Sequence, residues 1–169
     1  MNKVLGIILI VSSLVFVGCA PEDVDTGAED KKVEADKAVN KNEKRFKAGA
    51  STEVLGVKVN IAEVVIKPDK IEIGMNLENT NSNEVNWYPD QEGKAIIGDK
   101  QLDANMFMGG DIGGEIAGGV KQDGVLVFPT PNNSKLDPEK IEKIKLDLGE
   151  IATHDFMKTD NVQIKVEVK

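Results

Sequence analysis

One stretch limits the fold more than any other. Ile71, Ile73, Met75 and Leu77 alternate with Glu72, Gly74, Asn76 and Glu78. Successive side chains of a β-strand point to opposite faces, so period-two alternation marks a strand with one face to the core and one to water. The same pattern occurs at Val57, Val59 and Ile61, at Ile144, Leu146 and Leu148, and at Val162, Ile164, Val166 and Val168. Val125 to Phe128 is a shorter, continuous apolar run ended by Pro129, and Val85–Tyr88 and Ala95–Ile97 are further short strands. The punctuation suits strands. Pro68-Asp69, Asn79-Thr80-Asn81-Ser82-Asn83, Pro89-Asp90-Gln91-Glu92-Gly93 and Asp123-Gly124 are turn sequences. One short helix is expected at 137–141, with Asp137 as its cap and Pro138 at its first position. Several strands at these spacings predict an all-β, two-sheet antiparallel β-sandwich.

The sandwich is expected to occupy residues 52–169. Those 118 residues are enough for one core, and they carry 21 acids against 13 bases. Residues 20–51 read differently. They hold eight acids, seven bases, one aromatic (Phe46) and no Ile, Leu or Met. Such a segment buries too little apolar surface to offset its chain entropy and is expected to be a disordered tether. It would span about 30 Å on average and about 100 Å when extended. The patch Lys44-Arg45-Phe46-Lys47 holds the chain's only Arg. It reads either as a contact for anionic lipid or wall polymer or as the solvated end of the tether.

Residues 1–18 resemble a lipoprotein signal peptide. Lys3 supplies a positive start, an apolar run covers Val4 to Val17, and Val15-Phe16-Val17-Gly18-Cys19 resembles a bacterial lipobox. The run has the length of a signal-peptide core and is short for a span of about 20 residues. Phe16 stands where Leu is usual. Cys19 is therefore the expected lipidation site. It is the chain's one cysteine, as suits an oxidising compartment where stray thiols are a liability. Two acyl chains on one residue anchor stably where one would be marginal. The expected location is the extracytoplasmic face of the cell membrane, with the membrane as one partner and an envelope protein as another.

Composition narrows the chemistry. A net charge of −8 from 21 Lys+Arg and 29 Asp+Glu excludes nucleic-acid binding by bulk charge. One Cys and one His exclude a disulfide scaffold and a cysteine zinc site. In 52–169 after the first strand only Ser82 and Ser134 offer hydroxyl nucleophiles of the serine type, with His154 the single imidazole base and no Gly-x-Ser-x-Gly elbow. No enzyme and no cofactor is expected. His154-Asp155 reads as an exposed pair.

Two binding readings remain. Asn79, Asn81, Asn83 and Asp90 fall at the spacings of a calcium loop, but Glu84 replaces the required Gly and the early ligands lack charge. Asp90, Asp99, Asp103 and Asp111 are weak cation candidates that only the fold could bring together. The other reading is protein contact through Trp87, Tyr88, Met106, Phe107 and Met108, since Met is adaptable and aromatic rings supply area. For Trp87 and Tyr88 the alternative is the inter-sheet core. Met106 to Gly119 contains three Gly pairs within eleven residues. It lacks the Gly-Lys-Ser/Thr of a phosphate loop. It reads as an apolar contact loop or as bulged edge strands.

The stretch from Ile71 to Pro129 also resembles a family. An alternating strand leads to Glu78-Asn79-Thr80-Asn81, then a polar strand with Trp87, a turn at Gly118-Gly119, and Gly124-Val125-Leu126-Val127-Phe128-Pro129. This resembles bacterial lipoproteins that carry the immunoglobulin-like domain of unknown function numbered 4352, which are similar in fold to telokin and to a secreted mycobacterial immunoglobulin-like antigen. Pro129 directly after Phe128 departs from the usual spacing. The resemblance implies a sandwich over roughly Val57 to Val168 and carries no catalytic residues. The functional expectation is an accessory or protein-interaction module of the envelope. The alternative is a small-ligand or cation-binding lipoprotein.

Overall fold

The computed structural model describes residues 24–27, 42–110 and 112–169. Ten strands build two antiparallel sheets packed face to face, an immunoglobulin-like β-sandwich. The first sheet has the order β1 (Lys44–Val54), β2 (Val57–Ile66), β3 (Lys70–Asn79), β8 (Lys121–Pro129). The second contains β4 (Val85–Trp87), β5 (Lys94–Ile97), β6 (Lys100–Asp103), β7 (Gly114–Ile116), β9 (Lys143–Thr153) and β10 (Thr159–Glu167). The alternating apolar residues of β2, β3, β9 and β10 meet between the sheets in one core that includes Ile61, Ile73, Leu146 and Ile164.

β9 organises the second sheet. β10 pairs along one edge. The other edge is shared: β5 pairs with Lys145–Asp147 and β4 with Ala152 and Thr153. Between them the chain leaves the sheet as the four-residue helix α1 (Pro89–Glu92), where the sequence predicts a turn. That detour leaves β9 backbone groups without strand partners, and side chains take their place. The Trp87 Nε1 donates to the Leu148 carbonyl at 2.8 Å, and the Glu92 carboxylate accepts from the Glu150 amide at 3.4 Å. Gly149 lies against Glu92 with φ +78°, so a side chain there would meet both strain and obstruction. Trp87 is fully buried and belongs to the core, which removes it from the contact residues.

Three expectations need correction. The domain begins before Thr52, because β1 starts at Lys44. Phe46, Ala48 and Ala50 alternate inward and pack on the core; the segment reads as charged because its apolar positions are few, spaced by two and, Phe46 apart, small. Arg45 Nη1 sits 2.7 Å from Glu63 Oε2, a structural ion pair rather than the end of a linker. The helix expected at 137–141 is a single 3-10 turn, Pro138–Lys140, with the Asp137 carboxylate accepting from the Glu139 amide at 3.3 Å. The signal peptide, Cys19 and most of the expected tether lie outside the described residues.

The outer face of the first sheet is not the water-facing surface that alternation predicts. Glu72 and Gly74 are buried there, as are Val65, Val125 and Val127. Register places Val65, Glu72 and Val127 side by side, and Glu63, Gly74 and Val125 in the next row. Val24 packs with Val65, Val125 and Val127 as a second, small apolar cluster. Glu72 is held by Lys70 at 2.7 Å and Lys67 at 3.1 Å, one ammonium on each oxygen.

Candidate interaction surfaces

The Asn-rich turn after β3 is a structural fastener. The Asn79 carboxamide is buried; its Nδ2 donates to the carbonyls of Asn83, Ile116 and Ala117 at 2.9 to 3.2 Å. Its Oδ1 accepts from the Asn81 amide and side chain at 3.0 and 2.9 Å. Asn81 in turn donates to the Leu55 carbonyl at 2.8 Å, tying the turn to the β1–β2 hairpin. Asn79 and Asn81, two of the four residues at calcium-loop spacing, thus direct their side chains to backbone groups and to each other.

The acidic candidates are dispersed. Asp90 is in α1, Asp99 in the β5–β6 turn and Asp103 at the end of β6, where it accepts from Gln101 at 2.9 Å. Asp111 lies outside the described residues. Among the described residues no group of three carboxylate, imidazole or thiol side chains is placed to hold a metal ion.

Two loops instead present apolar side chains to solvent. The first follows β6. The Asn105 amide donates to the Val127 carbonyl at 2.9 Å and the Gly110 amide to Val125 at 2.9 Å, so the loop is stitched to the outer edge of β8. Between these anchors the Asn105 side chain accepts from the Phe107 amide at 2.9 Å, and the Met108 amide donates to the Asn105 carbonyl. Phe107 projects from this turn 89% exposed, with Met106 and Met108 beside it, also exposed. The Gly-rich segment thus divides: Met106–Met108 face outward, while Ile112 and Ile116 enter the core. Tyr88, at 37% exposure, keeps a partly open ring.

The second loop, between β9 and β10, escapes the sequence reading, which noticed only His154-Asp155. Phe156 is 67% and Met157 81% exposed. The signal was an adjacent Phe-Met pair in a polar turn. Thr153 closes the turn with Lys158 through its amide at 2.9 Å, and the Asp155 Oδ1 accepts from the Thr153 hydroxyl at 2.7 Å and the Met157 amide at 3.1 Å. These bonds hold the Asp155 carboxyl below its ordinary range, the Thr153 hydroxyl contributing most. Phe156 adopts φ +57°, a left-handed conformation uncommon for an aromatic residue. The turn lies beside Asn81–Val85 around a cleft of about 270 Å³ that also includes His154 and Lys158.

Both loops therefore fix a Phe and a Met in the open by local hydrogen bonds. The backbone of each turn is thus ordered while its apolar side chains stand in solvent. Among the described residues no helix is long and apolar enough to cross a membrane.

No family model matches the chain, and no curated protein matches it. Among solved structures it is similar to a functionally unknown protein from Listeria monocytogenes, with 9% identity and a TM-score of 0.50 over 76% of this chain and 89% of that one. It is also similar to a conserved hypothetical protein from Bacillus anthracis, with 11% identity and a TM-score of 0.44 over 72% of this chain and 97% of that one. Likeness at such identity speaks to fold, not to function.

Proposed function

We propose that this protein is a lipid-anchored, extracytoplasmic β-sandwich lipoprotein that serves the bacterial cell envelope as a protein-interaction module. The observation that carries the interaction reading is the pair of exposed apolar tips, Met106–Met108 and Phe156–Met157, each set on a hydrogen-bonded turn. The anchor reading rests on the lipobox-like residues up to Cys19 and on the absence of any other cysteine. The resemblance to lipoproteins with domain 4352 belongs to the same proposal. Binding rather than catalysis is the expected activity. A net charge of −8 makes a basic or neutral partner face the better match.

Two readouts test it in cells. Metabolic labelling with an alkyne fatty acid should mark the wild-type chain, and Cys19→Ala should abolish the label and release the protein from the membrane. A photo-crosslinking residue at position 107 or 156 should capture one discrete partner, with position 99 in the β5–β6 turn as the silent control. Label independent of Cys19 would overturn the anchor. Equal capture from all three positions would overturn the interaction surface.

A further inference from the structure

Residues 24–27 were expected to belong to a tether. Instead they lie along the outer face of the first sheet. The Asp25 amide donates to Glu63 Oε2 at 2.8 Å, the oxygen that also holds Arg45. The Thr26 carbonyl accepts from Asn76 Nδ2 at 2.7 Å, and the Thr26 hydroxyl donates to Asp123 at 3.0 Å. Lys47 lies 3.7 Å from the Asp25 carboxylate. Beneath the segment is Gly74, in the middle of β3. A Cβ on Gly74 would collide with the Asp25 carbonyl and the Val24 side chain. Glycine inside a strand marks a place where another backbone comes close, and here that backbone is the chain's own.

We infer that Val24–Gly27 is a docked strap that fixes how the anchored domain stands on the membrane. The strap runs in the direction of β3, from the level of Val65 and Val127 at Val24 to that of Asn60 and Asn76 at Gly27. Cys19 precedes Val24 by five peptide links, which span about 17 Å at most. Val24 is about six residues, or about 20 Å, short of the sandwich end where β3 finishes at Asn79. A leash of that length cannot bring Cys19 to that end. The Asn79 end, with the Phe156–Met157 turn that neighbours Asn81–Val85, is therefore held away from the anchor. Without docking, up to about 85 Å of extended chain would separate Cys19 from β1 at Lys44. This orientation rests on the anchor at Cys19 proposed above; the docking does not.

The test uses the full chain in phosphatidylglycerol–phosphatidylethanolamine vesicles, compared with Gly74→Val and Val24→Asp. Valine suits a strand, so the first variant should evict the strap and keep β3; the second removes its apolar foot without touching the sheet. Hydrogen exchange of the 20–30 peptide should be at least about tenfold slower in the wild type than in either variant, with β2 and β3 unchanged. A dye on Met157→Cys should give one long distance to acceptors in the bilayer, replaced by a broad distribution when the strap is evicted. Equal exchange in all three proteins would overturn the docking. Protection that appears only with dimer formation would overturn the assignment within one chain. Protection without membrane attachment through Cys19 would leave the strap in place and overturn the orientation.

Discussion

Asn79 and Asp155 do similar work at the scale of single residues: each replaces water as the partner of backbone groups at a chain reversal. Asn79 donates to three carbonyls from two loops while fully buried. Asn79→Ala would remove the buried donor these carbonyls share and cost about 2–3 kcal/mol, read as a lower urea midpoint with an unchanged slope. Asp155 is exposed, so its role is local order. Its two donors favour the charged carboxylate and lower its pKa, by the Thr153 hydroxyl above all. A carboxyl with a depressed folded value contributes fully above the ordinary aspartate value of about 3.9 and loses that contribution as pH falls through the folded value. Thr153→Val should move the Asp155 titration, followed by carboxyl NMR, back toward the ordinary value. A midpoint unmoved by that change would contradict the assignment.

Elements show how the sandwich manages its edges. β8 is the last strand of its sheet, and the loop after β6 donates the amides of Asn105 and Gly110 to its free carbonyls. An uncovered edge invites pairing with another chain. Gly109 permits this cover, since a Cβ there would meet the Val125 carbonyl. Gly109→Val should lift the loop and bare the edge, giving concentration-dependent self-association in sedimentation velocity where the wild type gives one species. The inner halves of the elements were legible in the sequence because alternation reports burial on one face. Ile71, Ile73, Met75 and Leu77 do enter the core. The outer face was not legible: Glu72 and Gly74 resemble solvent positions until Val24 and the two lysines are placed over them. Two signs did exist. Val65, Val125 and Val127 make their strands apolar on both faces, as in doubly covered sheets, and Gly74 interrupts an otherwise regular strand. The start of β1 was hidden because Ala48 and Ala50 are weakly apolar and Gly49 lies within a register shift.

The whole molecule separates stability from display. Its core is closed by Trp87, which the sequence left open between core and surface and which the missing strand pairing at Leu148 draws inward. The apolar side chains left outside stabilise little, so Phe107→Ser and Phe156→Ser should each shift unfolding by no more than about 0.5 kcal/mol. The tip at Met106–Met108 was among the contact residues the sequence offered; the one at Phe156–Met157 was not, because a Phe-Met pair looks the same buried or exposed until the turn around it is known. The proposed role of these tips is to bind a partner. The direct measurement is the apparent affinity for the cross-linked partner, compared between wild type and Phe107→Ser, Phe156→Ser and the double variant at matched melting temperature. A loss of at least about 2 kcal/mol, roughly thirtyfold in affinity, is expected for at least one tip. Unchanged affinity in the double variant would contradict it.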